Sequence, residues 1–201
     1  MRRFFLAMVF SHADFRFRLK QAGYSLYDLM ITSGIVSVLG IGAVGMTSMV
    51  QDARMTSEVN ELITHLSLVR SETIKRGQKV VLCPSADGSN CDEPRDGYTW
   101  WHSGYLLFVN MDKDTDRNSN EPIIRTRQAL TGGVTIKSSD DRSRISYQST
   151  GFSSGSTATF TFCDPRGQAQ VRYVILSNVG RARVSRIPSD SKADEGIETC
   201  S

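Results

Sequence analysis

The sequence predicts an α+β protein, with one long N-terminal helix packed on an antiparallel β-sheet domain. Three observations carry this. Between Asp28 and Asp52 lie 23 residues without a charge, enough at about 1.5 Å per residue to cross a hydrocarbon core of roughly 30 Å as a helix. Past that stretch, apolar residues recur at steps of three and four as far as Gly77, the period of a helix with one buried face. From Lys79 onward the chain turns to short segments rich in Val, Ile, Tyr, Phe and Thr, separated by Gly, Asp, Asn and Ser. They lack the spacing of βαβ units, so the sheet they form is antiparallel.

Taken in order, residues 1–23 form a basic leader, with Arg2, Arg3, Arg16, Arg18 and Lys20 against Asp14. That bias holds the N-terminus in the cytoplasm. Residues 24–51 follow as a membrane-spanning helix half, and residues 52–201 lie on the far side. The far part divides into an amphipathic helix over 52–76, a β domain over 79–187 and a polar tail over 188–201. The whole chain carries a net charge of +3. Without the leader, 19 basic residues face 20 acidic ones, so any affinity for nucleic acid must come from a local patch.

In the amphipathic half, Val59, Leu62, Leu66, Val69 and Thr73 make the buried stripe, and Ile63 and Ile74 widen it. Lys75 and Arg76 complement the helix dipole, and Gly77 is a left-handed stop. His65 rides on this helix as a satisfied or solvent-facing side chain, since no other metal-ligand type lies near it in sequence. The strand segments are KVVLC, YLLFVNM, EPIIRTR, GVTIK, SRISYQ, TATFTFC and AQVRYVIL, and one face of their sheet packs on the helix stripe.

All four cysteines, Cys83, Cys91, Cys163 and Cys200, fall beyond the span. An even number in an oxidising compartment favours two disulfides, and three pairings are open. We expect Cys83 with Cys91, closing a short loop through Pro84 and Asp87-Gly88, and Cys163 with Cys200, tying down the tail. A zinc site is the weaker alternative, because the chain has no C-x-x-C and only His102 beyond the helix.

The order of leader, glycine and retained apolar helix resembles type IV pilins and type II secretion pseudopilins. Their pattern G-F-T-L-x-E-L stands here as Gly23-Tyr24-Ser25-Leu26-Tyr27-Asp28-Leu29. The resemblance implies that prepilin peptidase cuts after Gly23, that Tyr24 becomes an N-methylated first residue, and that Asp28 meets the terminal amine of a neighbouring subunit during assembly. Beyond the helix, its basic-Gly end, the strand, Cys83-Pro84-Ser85, Cys91 and Trp101-x-x-Gly104-Tyr105 sharpen the likeness to the FimT and GspH family, closest to FimT-like minor pilins. A pilin-like fold, a single-pass inner-membrane location with a periplasmic domain, later incorporation near the tip of a surface pilus, and partnership with minor and major pilins are what this implies. It implies no enzyme and no cofactor.

The residues agree on that last point. No nucleophile elbow or paired-carboxylate motif is present. The acidic run from Asp112 to Asn118 starts like a calcium loop, but Arg117 and Ile123 stand where the EF-hand requires Gly and Glu. It reads as a solvated hairpin turn.

Arg181, Arg183 and Arg186 follow Asn178 and Gly180, and residues 166–186 hold five arginines and no acid. On an extended strand Arg181 and Arg183 share a face, and guanidinium groups at that spacing grip successive phosphates. Gly180-Arg181-Ala182-Arg183 also matches the G-R-x-R element that FimT-type minor pilins of naturally transformable bacteria associate with DNA, with Arg172 or Lys137 as support. The competing expectation is that acids neutralise these arginines, the tail offering Asp190, Asp194, Glu195 and Glu198 against Lys192. Three functions are therefore in view: a DNA-binding minor pilin, a structural subunit that primes pilus assembly, and a type II secretion pseudopilin.

Overall fold

The structure is a computed structural model; it describes residues 25–112, 114–186 and 200, without the side chains of residues 38–46, 139, 140 and 168. By contact density the chain divides into two units, residues 1–44 and 45–201.

In the first unit the helix α1, Leu26–Arg76, begins with a reciprocal cap. The Ser25 hydroxyl accepts from the Tyr27 amide, and the Asp28 carboxylate accepts from the Ser25 amide at 3.2 Å. A serine with an acid three residues on satisfies donors that a helix start leaves open. Thr32, Ser33 and Ser37 donate back to carbonyls of their own helix, which satisfies hydroxyls that have no other partner on an apolar segment. Among the described residues no helix is long and apolar enough to cross a membrane; the side chains of residues 38–46, the middle of the expected span, lie outside that set. Gly23 and Tyr24, the expected cleavage and methylation positions, lie outside it as well.

In the second unit, α1 buries Met55, Val59, Leu62, Leu66, Val69 and Thr73, the stripe that its periodicity requires, extended one turn by Met55. Ile74 departs from the expectation. It is 55% exposed, with Gly151 as a neighbour of its side chain and no burial beyond that. The helix ends at Gly77, which takes φ 65° and donates to the Thr73 carbonyl at 3.0 Å.

The strands are β1 Lys79–Pro84, β2 Tyr98–Trp100, β3 Gly104–Asn110, β4 Ile123–Gln128, β5 Thr135–Ser139, β6 Ile145–Tyr147, β7 Ala158–Cys163, β8 Arg172–Leu176 and β9 Ala182–Ser185. They form two antiparallel sheets where the sequence suggested one, ordered β4-β3-β1-β6 and β2-β5-β7-β8-β9. The reason is visible in the core. Val80, Leu82, Tyr105, Leu107 and Tyr147 of the first sheet and Ile136, Phe160, Phe162, Val174 and Leu176 of the second join the helix stripe in one cluster. Two sheets cover more of a long helix than one flat sheet does.

The second face of the first sheet is also buried. Val81, Cys83, Leu106 and Phe108 pack there with Cys91, so the loop after β1 serves as a lid on that face, held by the Cys83–Cys91 disulfide. The second disulfide joins Cys163 to Cys200. Both pairings are those expected from the sequence.

Candidate nucleic-acid interface

β8 and β9 form a hairpin at one edge of the five-stranded sheet. Leu176 pairs with Ala182, Ile175 with Arg183 and Val174 with Val184. The loop closes through Gly180, whose amide donates to the Ser177 carbonyl at 2.8 Å, while the Ser177 amide donates to the Arg181 carbonyl at 3.1 Å. This is a short hairpin turn followed by a left-handed residue. Gly180 has φ 77°, and a Cβ there would stand 2.6 Å from the Gly151 carbonyl oxygen and 2.8 Å from the Tyr147 ring. Only glycine fits, so the G-R-x-R glycine is a packing requirement of the hairpin.

The arginines separate by element. Ala182 packs against the core, so alternation turns Arg183 to the opposite face of β9. Arg181 precedes the strand and belongs to the end of the loop, so alternation does not govern it. Arg181, Arg183 and Arg186 are all exposed. Among the described residues no acid pairs with any of the three. The acidic residues from Asp190 to Glu198 lie outside the described set.

The other arginines of the 166–186 window are occupied. Arg166 pairs with Asp164 and with Asp52 of α1, which together raise its pKa. Arg172 donates to the Thr56 hydroxyl at 2.8 Å, on the helix side of the sheet. Lys137 is buried, its ammonium 4.5 Å from the centre of the Tyr98 ring, and burial lowers its pKa. Lys137 is thus withdrawn from the surface by burial, and Arg172 has one N–H committed to α1. Their places are fixed by the helix and by an aromatic ring, which sequence spacing does not reveal.

One cation that the sequence did not single out stands close to the hairpin. Arg70 of α1 lies half-buried, its Nη1 donating to the Gly180 carbonyl at 3.5 Å. Ser67, Arg70, Ser71 and Ile74 of α1 and Gly180 and Arg181 of the hairpin line an open groove of roughly 350 Å³.

Two further groups of titratable side chains were read from sequence. His65 is buried, with Nδ1 2.7 Å from the Tyr105 hydroxyl, which is the satisfied state expected of it. In the acidic turn Asp112 and Asp114 meet Glu121, with carboxylate oxygens within 4.8 Å of one another. Glu121, which the motif did not include, is 1% exposed and accepts the amides of Met111 at 2.6 Å and Asn118 at 3.0 Å. It ties the two ends of the turn together. The Asn118 side-chain amide donates to both Asp112 and Asp114; this holds the Asp112 pKa down, while desolvation and the Asp112 charge raise that of Asp114.

Comparison with known proteins adds the following. The family model for GspH, described as a type II transport protein, matches residues 58–180. The match therefore ends at the hairpin glycine, one residue before Arg181. The crystal structure of the type IV minor pilin FimU of Pseudomonas aeruginosa PAO1 in space group P21 is similar with a TM-score of 0.51 and 16% identity, over 67% of this chain and 90% of that one. At that identity the likeness is one of fold. FimU in space group P65 gives a TM-score of 0.48 at 16% identity, over 65% of this chain and 91% of that one. No curated protein sequence matches the chain.

Proposed function

The chain belongs to the GspH family, and from that premise we propose that it is a minor type IV pilin that binds DNA without sequence preference through Arg181, Arg183 and Arg186. Prepilin peptidase cuts after Gly23, and Tyr24 becomes the new N-terminus. Residues 24–51 hold the subunit in the inner membrane until it joins the other pilins near the pilus tip, and its bound DNA serves natural transformation. The role is that of a binding and assembly subunit, not an enzyme.

The observation that carries this reading is the hairpin edge with three exposed arginines and no acidic partner among the described residues. A structural arginine acquires a partner, as Arg127, Arg144 and Arg166 do here. Guanidinium groups left exposed on and beside an edge strand are suited to phosphate oxygens, which they contact bidentately and independently of base sequence.

The test is an Arg181→Gln, Arg183→Gln substitution in the host's own gene. The expected result is a loss of transformation with pili still assembled and the protein still present. Unchanged transformation overturns the proposal. A second reading has one observation in its favour: the matching family is described by type II transport, which fits a secretion pseudopilin. On that reading, deleting the gene stops exoprotein secretion and leaves transformation intact.

A further inference from the structure

Arg70 and Gly180 are 110 residues apart in sequence, and the fold brings the Arg70 guanidinium to the Gly180 carbonyl. A Cβ on Gly151 would lie 2.8 Å from Cδ1 of Ile74 and 3.4 Å from Nε of Arg70. The Gly180 position is packed in turn against the Gly151 carbonyl, and the Ser153 amide donates to the Asn178 carbonyl at 2.9 Å. The helix thus meets the 148–151 turn through the side chains of Ile74 and Arg70, and that turn meets the hairpin loop through the Gly151 carbonyl. Arg70 and Arg181 are left on opposite walls of one groove.

The groove wall on α1 is a true helix face, because Ser67, Arg70, Ser71 and Ile74 follow the i, i+3, i+4, i+7 spacing. That face adjoins the core stripe, yet it presents two hydroxyls and a guanidinium. No acid pairs with Arg70 or Arg181 among the described residues. The neighbouring carboxylate on the helix, Glu72, is taken by Arg76 at 2.8 Å and Lys75 at 3.5 Å. Two unneutralised cations across a groove repel one another, and one oxyanion between them removes that repulsion. Arg70 spends one N–H on Gly180 and retains the others for a ligand. Exposed Ile74 offers an apolar ledge that suits a sugar ring. Arg183 and Arg186 follow Arg181 in sequence and are exposed as well, so the fitting ligand carries repeating charge and is not a single carboxylate.

We infer that Arg70 and Arg181 together clamp a phosphate of the DNA backbone, so that the binding surface runs from the hairpin edge onto α1. This rests on the DNA-binding reading above and extends it to a residue on another element.

The test uses the full-length protein in detergent micelles and a labelled duplex of about 30 base pairs, titrated between about 50 and 200 mM salt. Arg70→Gln should lower the log-log salt slope by about 0.9, so that affinity falls about 3.5-fold less across that range than for the unmodified protein. Arg70→Lys should restore the slope. Ser67→Glu, at an exposed helix position that bonds to nothing in the hairpin, should weaken binding about tenfold by placing a like-signed charge beside the phosphate. These three results together support the clamp. If Arg181→Gln, Arg183→Gln weakens binding while Arg70→Gln and Ser67→Glu leave affinity and slope unchanged, the clamp is overturned and the DNA reading stands. If the unmodified protein shows no salt-dependent binding, or binds polyglutamate as tightly as the duplex, both are overturned.

Discussion

His65 shows how one buried side chain sets a pH limit on the fold. Burial lowers its pKa from an ordinary value near 6.5; Glu61 opposes this, and Arg125 and Arg127 reinforce it. The unfolded chain therefore binds a proton that the folded one refuses. Stability is complete above about pH 6.5 and falls as pH drops below it, by up to about 1.4 kcal/mol per pH unit until the folded form also protonates. Denaturant unfolding between pH 7.5 and 5 should show this slope, and His65→Gln should flatten it in that interval. Gly180→Ala is a second single-residue test. It forces a left-handed φ on a side chain that also meets the Gly151 carbonyl, and should cost about 1–3 kcal/mol, read from the same unfolding curves. Legibility differs between these positions. His65 was readable as a non-ligand, satisfied or solvent-facing, and only the structure shows that it is buried against Tyr105. The need for glycine at 180 was visible only as a turn signal; its contacts with Gly151 and Tyr147 are tertiary.

Between elements, arginines fasten the β domain to α1. Arg127 of β4 reaches Glu58 at 3.1 Å and Glu61 at 2.7 Å, all three partly buried. Arg127→Ala should destabilise the domain by about 2–4 kcal/mol, since it leaves two carboxylates side by side against a low-dielectric surface. A charge-swapped double change at one of the pairs should not recover all of it. The loop that covers the second face of the first sheet depends on Cys83–Cys91, a separation of eight residues. Chain entropy alone assigns that closure about 2.5 kcal/mol, so Cys83→Ser, Cys91→Ser should lower the unfolding midpoint in non-reducing buffer. Seven of the nine strands were legible as β-rich runs between turn residues. β2 was not, because three residues between Gly97 and Trp101 carry no alternation to detect, and β9 was legible only as a conditional extension because its arginines mask its period. The second sheet was hidden for a different reason: pattern marks which residues are buried, not how many layers bury them.

At the scale of the whole molecule, charge distribution matters more than total charge. Loss of the leader takes the chain from a net +3 to near neutrality, so little long-range attraction to DNA remains. Removing two hairpin arginines should therefore abolish most of the binding, not merely trim it. Processing is testable in the same terms. Co-expression with a prepilin peptidase should yield a protein that begins at Tyr24 by mass spectrometry, and Gly23→Val should leave the leader attached. β9 is also the last strand of its sheet among the described residues, with Val184 46% exposed. An edge strand can pair with a strand of a second copy, and fixed positive charge along it keeps like edges apart. The arginines that capture a polyanion would thus also keep the subunit soluble until it is placed, and glutamine variants should be followed by light scattering, where earlier onset of aggregation is the expected sign.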